Sequence, residues 1–303
     1  MNIAYKYRIY PTTEQAILLF KTFGCCRKVY NLMLADKIAY YKSADKMLHN
    51  TPAMYKNDYP YLKEVDSLAL ANSQLDLEGA YRSFFRDPKI GFPKYKSKRH
   101  SRLSYTTNVV NGNISINDRY IRLPKVGLIR IKRHRKAPDD YILKSVTVSC
   151  DPDGKFYVSV LYKHDDTVTP VRKVKTHIGL DYKSDGLYVD SEGNIADMPH
   201  YYRKAQTKLA KAQRILSRRK GSKKHEPKSN NYIKQQLCVN KIHKHISNQR
   251  KDFLHKLSCE ITNHYDLISV EDLNMKSMSQ PLHLGKATMD NGYGMFVNML
   301  EYK

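Results

Sequence analysis

Two acidic residues stand where short apolar runs end. Asp181 closes Ile178-Gly179-Leu180-Asp181, and Glu271 follows Ser269-Val270. Each run reads as a strand, so both carboxylates fall at strand ends, and if the strands are neighbours in an open α/β sheet those ends meet. Paired carboxylate oxygens can then share hard divalent cations, the arrangement that two-metal phosphodiester hydrolysis needs. A strand-end acid is also a common turn or helix cap, and Asp185 and Asp190 are nearby alternatives.

The second chemistry is phosphate binding. The 303 residues carry 53 Lys and Arg against 29 Asp and Glu, a net charge of +24 that sets the chain apart from ordinary metabolic enzymes and calls for a polyanionic partner. The excess is clustered. Tyr201 to Arg250 holds fifteen cations and one acid, Glu226, and Arg119 to Lys136 holds eight cations and no acid. One charge run is usually a solvated face, but this imbalance favours phosphate-backbone contact. The candidate contacts are Lys94, Lys96 and Lys98; Arg130, Lys132 and Arg133; and Arg214, Arg218, Arg219 and Lys220, the last three in the densest patch, Ser217 to Lys224. No run of about 18 apolar residues exists and Met1 to Pro11 has no signal-peptide core, so a cytoplasmic, nucleoid-associated protein with no membrane partner is expected. The five cysteines form no C-x-x-C, which leaves neither a zinc ribbon nor a disulfide framework. Twenty-four Tyr with no Trp suits base stacking and, for most of them, packing in half-buried strands.

The elements that must position these groups fall into three textures. Ile3, Tyr5, Tyr7 and Ile9 alternate as a strand, and Thr12 with Gln15 reads as a capping box opening a helix to about Tyr41. A second helix spans about Ser67 to Phe85, and Gly91-Phe92-Pro93 closes the helical segment. From Leu103 to Tyr162 short strands alternate with turn signals such as Asn111-Gly112 and Asp151-Pro152-Asp153-Gly154. A small barrel is expected, closed by the first strand, with the helices as an insertion. Beyond a polar linker at about 165–175 come strands at His177 to Asp181 and Gly186 to Val189, helices from about Tyr201 to Lys220 and Asn231 to His264, the strand Leu267 to Val270, and a helix starting near Asn291. That mixture reads as an α/β domain.

Several motifs together resemble the TnpB, or OrfB, family of transposon-encoded RNA-guided DNA nucleases, relatives of type V CRISPR effectors. They are Tyr7-Arg8-Ile9-Tyr10-Pro11-Thr12, the stretch Gly91-Phe92-Pro93-Lys94-Tyr95-Lys96-Ser97-Lys98, Ile178-Gly179-Leu180-Asp181, the stretch from Asn248 to Leu257, and Val270-Glu271-Asp272-Leu273-Asn274-Met275. The resemblance implies an α+β multidomain chain: a β-barrel wedge domain (1–12 and 92–172), an inserted helical recognition domain (13–91) and a RuvC-like, RNase H-type α/β domain (173–303). It implies a guide RNA and a double-stranded DNA target as partners, and Asp181 and Glu271 as the first two catalytic acids, holding Mg²⁺. By position, Gln74, Thr107 and Asn108 are candidate readers of a short DNA motif, since Gln and Asn can address adenine edges. The family continues into a further strand, a zinc ribbon and a third catalytic Asp, whereas this sequence ends at Leu300-Glu301-Tyr302-Lys303. An incomplete RuvC-like domain with no zinc site and impaired cleavage is therefore expected, Asp290 being the one Asp beyond Asp272. An active Mg²⁺-dependent endonuclease and a decayed gene fragment are the alternatives.

Overall fold

The computed structural model describes residues 1–165, 173–221, 228–274 and 290–303. Part of the expected linker, Ser222, Lys223 and Lys224 of the basic patch, and Met275 lie outside the described residues. The chain divides into two compact units, Met1–Thr167 and Val168–Lys303. Among the described residues no helix is long and apolar enough to cross a membrane.

In the first unit seven strands form one sheet: β1 (Asn2–Tyr10), β2 (Leu103–Asn108), β3 (Ser115–Ile116), β4 (Tyr120–Leu123), β5 (Gly127–Lys132), β6 (Ile142–Cys150) and β7 (Phe156–Lys163), in the order β2-β6-β7-β1-β5-β4-β3. The first strand does not close a barrel at its edge. It lies inside the sheet, antiparallel to β7 through Tyr7↔Val158 and to β5 through Ile9↔Ile131. The edges are β2 and β3, and among the described residues no ladder joins them. The alternation read from β1 is kept: Tyr7 and Ile9 are buried in one core with Ile129 and Ile131 of β5 and Val158 and Val160 of β7, the strands on either side.

Two helices, α1 (Thr13–Ala44) and α2 (Ser67–Arg86), share this hydrophobic core. The capping box is formed: the Gln15 amide donates to Thr12 Oγ1 at 3.3 Å and the Thr12 amide to Gln15 Oε1 at 3.0 Å. Leu19, Phe23, Val29 and Leu34 of α1 and Leu70 and Leu77 of α2 are buried, and both helices pack against β2.

The second unit holds a four-stranded sheet of β8 (His177–Tyr182), β9 (Tyr188–Asp190), β10 (Ile195–Ala196) and β11 (Leu267–Val270), ordered β10-β9-β8-β11. The hairpin strands run antiparallel and β11 runs parallel to β8. Among the described residues three helices accompany it: α3 (Tyr201–Arg218), α4 (Asn230–His264) and α5 (Tyr293–Glu301). Ile178, Leu180, Leu254, Ile261, Tyr293 and Phe296 form the core between sheet, α4 and α5. A parallel pair needs a long crossover, which α3 and α4 supply between residues 190 and 267.

Candidate functional site

The parallel register decides where the two acids stand. Val270 pairs with Leu180 and Ile268 with Ile178, so the next residues of the two strands, Glu271 and Asp181, come side by side. Registered neighbours in a parallel pair point to the same face, and Leu180 points into the core, so Asp181 and Glu271 share the opposite side. Both are exposed. Two carboxylates on adjacent strand ends form a hard, all-oxygen donor set that fits Mg²⁺ or Mn²⁺, ions that commonly take one or two protein carboxylates and complete their shells with water and phosphate. Among the described residues no group of three or more His, Cys, Asp or Glu is placed to hold a metal.

The neighbouring acids have other partners. Asp190 accepts the Glu192 and Asn194 amides at 3.0 and 2.8 Å and the Asn194 side chain at 3.0 Å, bracing its own hairpin turn. Asp185 lies 4.0 Å from Arg203. Asp290 is 1% exposed and bound to Arg250 at 3.0 Å, and it accepts the amides of Tyr202 at 3.1 Å and Arg203 at 3.4 Å. Those amides open α3, whose own N-cap position, His200, makes no side-chain cap. A carboxylate remote in sequence thus caps the helix.

Asp290 begins a tight corner. Asn291, fully buried, donates to the Ser184 carbonyl at 2.8 Å, tying the corner to the turn just after Asp181. Gly292 takes φ +69°, and a Cβ there would lie 3.0 Å from Arg250 Cδ, so any other residue would be strained at this position. Tyr293, 1% exposed, opens α5 with its ring 4.9 Å from that of Tyr182. Burial raises the Tyr293 phenol above its ordinary pKa, and the charges of Glu271 and then Asp181 push it in the same direction. Sequence reasoning missed Asn291 and Tyr293; Asn291-Gly292 is a turn signal that marks the corner.

The expected nucleic-acid contacts divide in two. Lys94, Lys98, Arg130, Lys132, Arg214, Arg218 and Lys220 are exposed. Arg219 is exposed but donates to the Asn231 carbonyl at 3.2 Å. Lys96 is a structural staple instead: its ammonium sits 3.1 Å from Asp76 and 4.1 Å from the centre of the Tyr30 ring, and its backbone is gripped on both sides by the Asn31 amide at 2.8 Å. Arg133, with 10% of its side chain exposed, bonds Asp118 at 3.3 Å. The Thr107 side chain is fully buried, so no base edge reaches it here. Gln74, half-buried, donates to Glu78 at 2.8 Å, an i to i+4 pair on α2, and Asn108 is half-buried at the end of β2.

Comparison with known proteins places these observations. The model described as "Probable transposase" matches residues 158–281, which include both acids, and a "Helix-turn-helix domain" model matches residues 1–46. A Streptomyces pristinaespiralis protein named "Putative RNA-guided DNA endonuclease" is 32% identical over 99% of this chain and 74% of its own length. The chain belongs to the TnpB/OrfB family. A second member, "Putative RNA-guided DNA endonuclease InsQ" of Escherichia coli K12, is 30% identical over 91% of this chain and 67% of its own length. The fold also resembles the protein in a cryo-EM structure of a Cas12f1–sgRNA–target DNA complex, with TM-score 0.53 and 12% identity over 100% of this chain and 86% of that one. For a TnpB/OrfB member, the span matched as transposase is therefore the one holding the adjacent strand-end acids.

Proposed function

We propose that this chain binds a guide RNA and uses it to recognise double-stranded DNA beside a short motif. In this reading the seven-stranded sheet is the wedge domain, α1 and α2 are the recognition insert, and the second unit is a RuvC-like domain. The exposed cations of β5 and α3 take phosphates of RNA and DNA. The observation that carries the reading is the set of exposed cations on β5 and at α3, Arg130, Lys132, Arg214, Arg218 and Lys220, in a chain of charge +24. When bound, Mg²⁺ would polarise the scissile phosphate and stabilise developing charge. The chain's own part is to present two carboxylates on one face and to hold the phosphates nearby. Among the described residues no third His, Cys, Asp or Glu joins the pair, and two carboxylates hold an ion loosely, so in this reading cleavage by these residues is impaired and guided binding is the principal activity. The adjacency of the two acids, which binding alone does not require, favours a second reading, Mg²⁺-dependent cleavage.

The test is to express the chain with its flanking DNA and sequence the RNA that copurifies. One discrete RNA with a constant scaffold and a variable end is expected; only heterogeneous RNA would refute guided recognition. Matched DNA with Mg²⁺ then separates the readings: cutting that Asp181→Ala abolishes would establish the nuclease, whereas binding that Asp181→Ala leaves intact, with no cutting, supports the binder.

A further inference from the structure

The end of α2 carries rings that the fold leaves in water. Tyr81, 7% exposed, belongs to the core of the first unit, and three phenylalanines build outward from it. Phe85 stacks on Tyr81 one turn away, with centroids 6.1 Å and planes 22° apart. Phe92, beyond the turn that ends the helical segment, meets Tyr81 and Phe84 nearly at right angles, each centroid 5.5 Å away. Phe84 touches Phe85 at the same 5.5 Å, so the four rings form one cluster. Its outer members stay open: Phe85 is 64% and Phe92 45% exposed, and Ile90, between them in sequence, is 57% exposed.

The cluster is held from below. Asp87 accepts the Lys89 amide at 3.0 Å, and Gly91 takes φ +86°, which sets the turn from α2 to Phe92. On the other side Pro93 is buried, and the Asn31 amide grips the Lys96 backbone at 2.8 Å. Single exposed apolar residues are ordinary, whereas a contiguous patch marks a surface that binds something. Rings already fixed lose little freedom when a ligand lies on them.

The charge around the patch selects the ligand. Tyr81 to Lys96 holds five cations and one acid, Asp87. Arg82 lies one turn before Phe85 and Arg86 follows it, Lys89 and Lys94 flank Phe92 in sequence, and all four are exposed. A second copy of this chain would set these cations against their own kind. Duplex DNA offers phosphates but keeps its base faces stacked inside. Unpaired bases of an RNA offer a flat face to the rings and a phosphate on either side to the cations.

We propose that Phe85 and Phe92 are a stacking platform for an unpaired base of the bound RNA, with Arg82, Arg86, Lys89 and Lys94 holding its flanking phosphates. The inference rests on the reading of the chain as an RNA binder, and it adds a base contact that the cations of β5 and α3 do not supply.

The test is binding of the full chain to a fluorescent RNA oligonucleotide with no self-pairing, followed by anisotropy. Phe85→Ala should weaken binding about tenfold and leave the salt slope unchanged, because a stacked base is lost and no phosphate contact is. Phe85→Trp should restore it. The Phe85 ring is mostly exposed, so both variants should melt with the wild type. Arg86→Ala should lower the salt slope by about one. Unchanged affinity in Phe85→Ala, with Arg214→Ala weakened, would overturn the platform and leave RNA binding by the other cations standing. No RNA binding by the wild type would overturn both. An equal loss on duplex DNA of the same sequence would overturn the assignment to an unpaired base. A dimer in light scattering that Phe85→Ala dissociates, with RNA affinity intact, would give the patch to a second copy instead. Ultraviolet cross-linking of the wild type to the same RNA guards against a variant that fails to fold: a nucleotide on Phe85 or Phe92 supports the placement, and cross-links only elsewhere refute it.

Discussion

Asp290→Ala should destabilise the second unit severely without touching the acid pair. The Asp290 carboxylate is 1% exposed, and its Arg250 partner has 19% of its side chain exposed. Removing one member of such a buried pair leaves the other charge uncompensated, at a cost of about 3–5 kcal/mol. The same carboxylate caps the Tyr202 and Arg203 amides of α3, and losing a cap costs about 1 kcal/mol. Both terms draw on one carboxylate and do not simply add, so about 4 kcal/mol is expected. For a unit of this size that corresponds to a fall in melting temperature of roughly 10–15 °C. Urea unfolding followed by circular dichroism measures the loss, and amide hydrogen exchange at Tyr202 and Arg203 locates it. Asp290→Asn, which keeps an acceptor for the amides, should lose about half as much. Combined with Arg250→Met it should show coupling of at least about 1 kcal/mol. A loss below about 1 kcal/mol in Asp290→Ala, or Mn²⁺ affinity that drops in a folded Asp290→Asn, would refute the assignment of Asp290 as cap and ion-pair partner and return it to the candidate ligands.

Thr12→Ala removes half of the capping box and should cost about 1 kcal/mol in denaturant unfolding of the first unit. Of the five cysteines, Cys238 and Cys259 are exposed and Cys25, Cys26 and Cys150 buried, so a thiol reagent at pH 8 should label two rapidly and the rest only after unfolding. Burial pushes the Cys26 thiol up to about 12 and that of Cys150 to about 11. Both stay protonated in the fold after the unfolded chain has ionised, so their contribution is complete below about pH 8.5 and is lost as pH rises through 11–12; stability that increases over that window would contradict their burial. RNA affinity should fall by about three to five orders of magnitude between about 50 and 200 mM salt. Arg214→Ala and Arg218→Ala should each lower the salt slope by about one. Lys96→Ala should leave the slope unchanged and lower the stability of the first unit, because its ammonium is engaged with Asp76 and Tyr30.

What the sequence determined by itself is largely what neighbouring residues decide among themselves. The Thr12–Gln15 capping box starts α1, and the apolar stripe of α4 places its start within one residue of Asn230 and its end at His264, because helices close their hydrogen bonds four residues apart. The hairpin of β6 and β7 follows from Asp151 to Gly154 in the same way, and the strand-end positions of Asp181 and Glu271 are local as well. Tertiary structure alone decided the rest. The place of β1 inside its sheet depends on partners more than 100 residues away. The β8–β11 register sets two acids 90 residues apart side by side, and a slip of one residue would turn one of them to the other face. Lys96 and Arg133 look in sequence like their exposed neighbours Lys94 and Lys132, yet Asp76 and Asp118, brought near by folding, take their charges for the structure. Asp290 shows the limit most plainly: whether a buried carboxylate caps a helix or binds a metal depends on which distant groups the fold places around it, and no spacing along the chain records that.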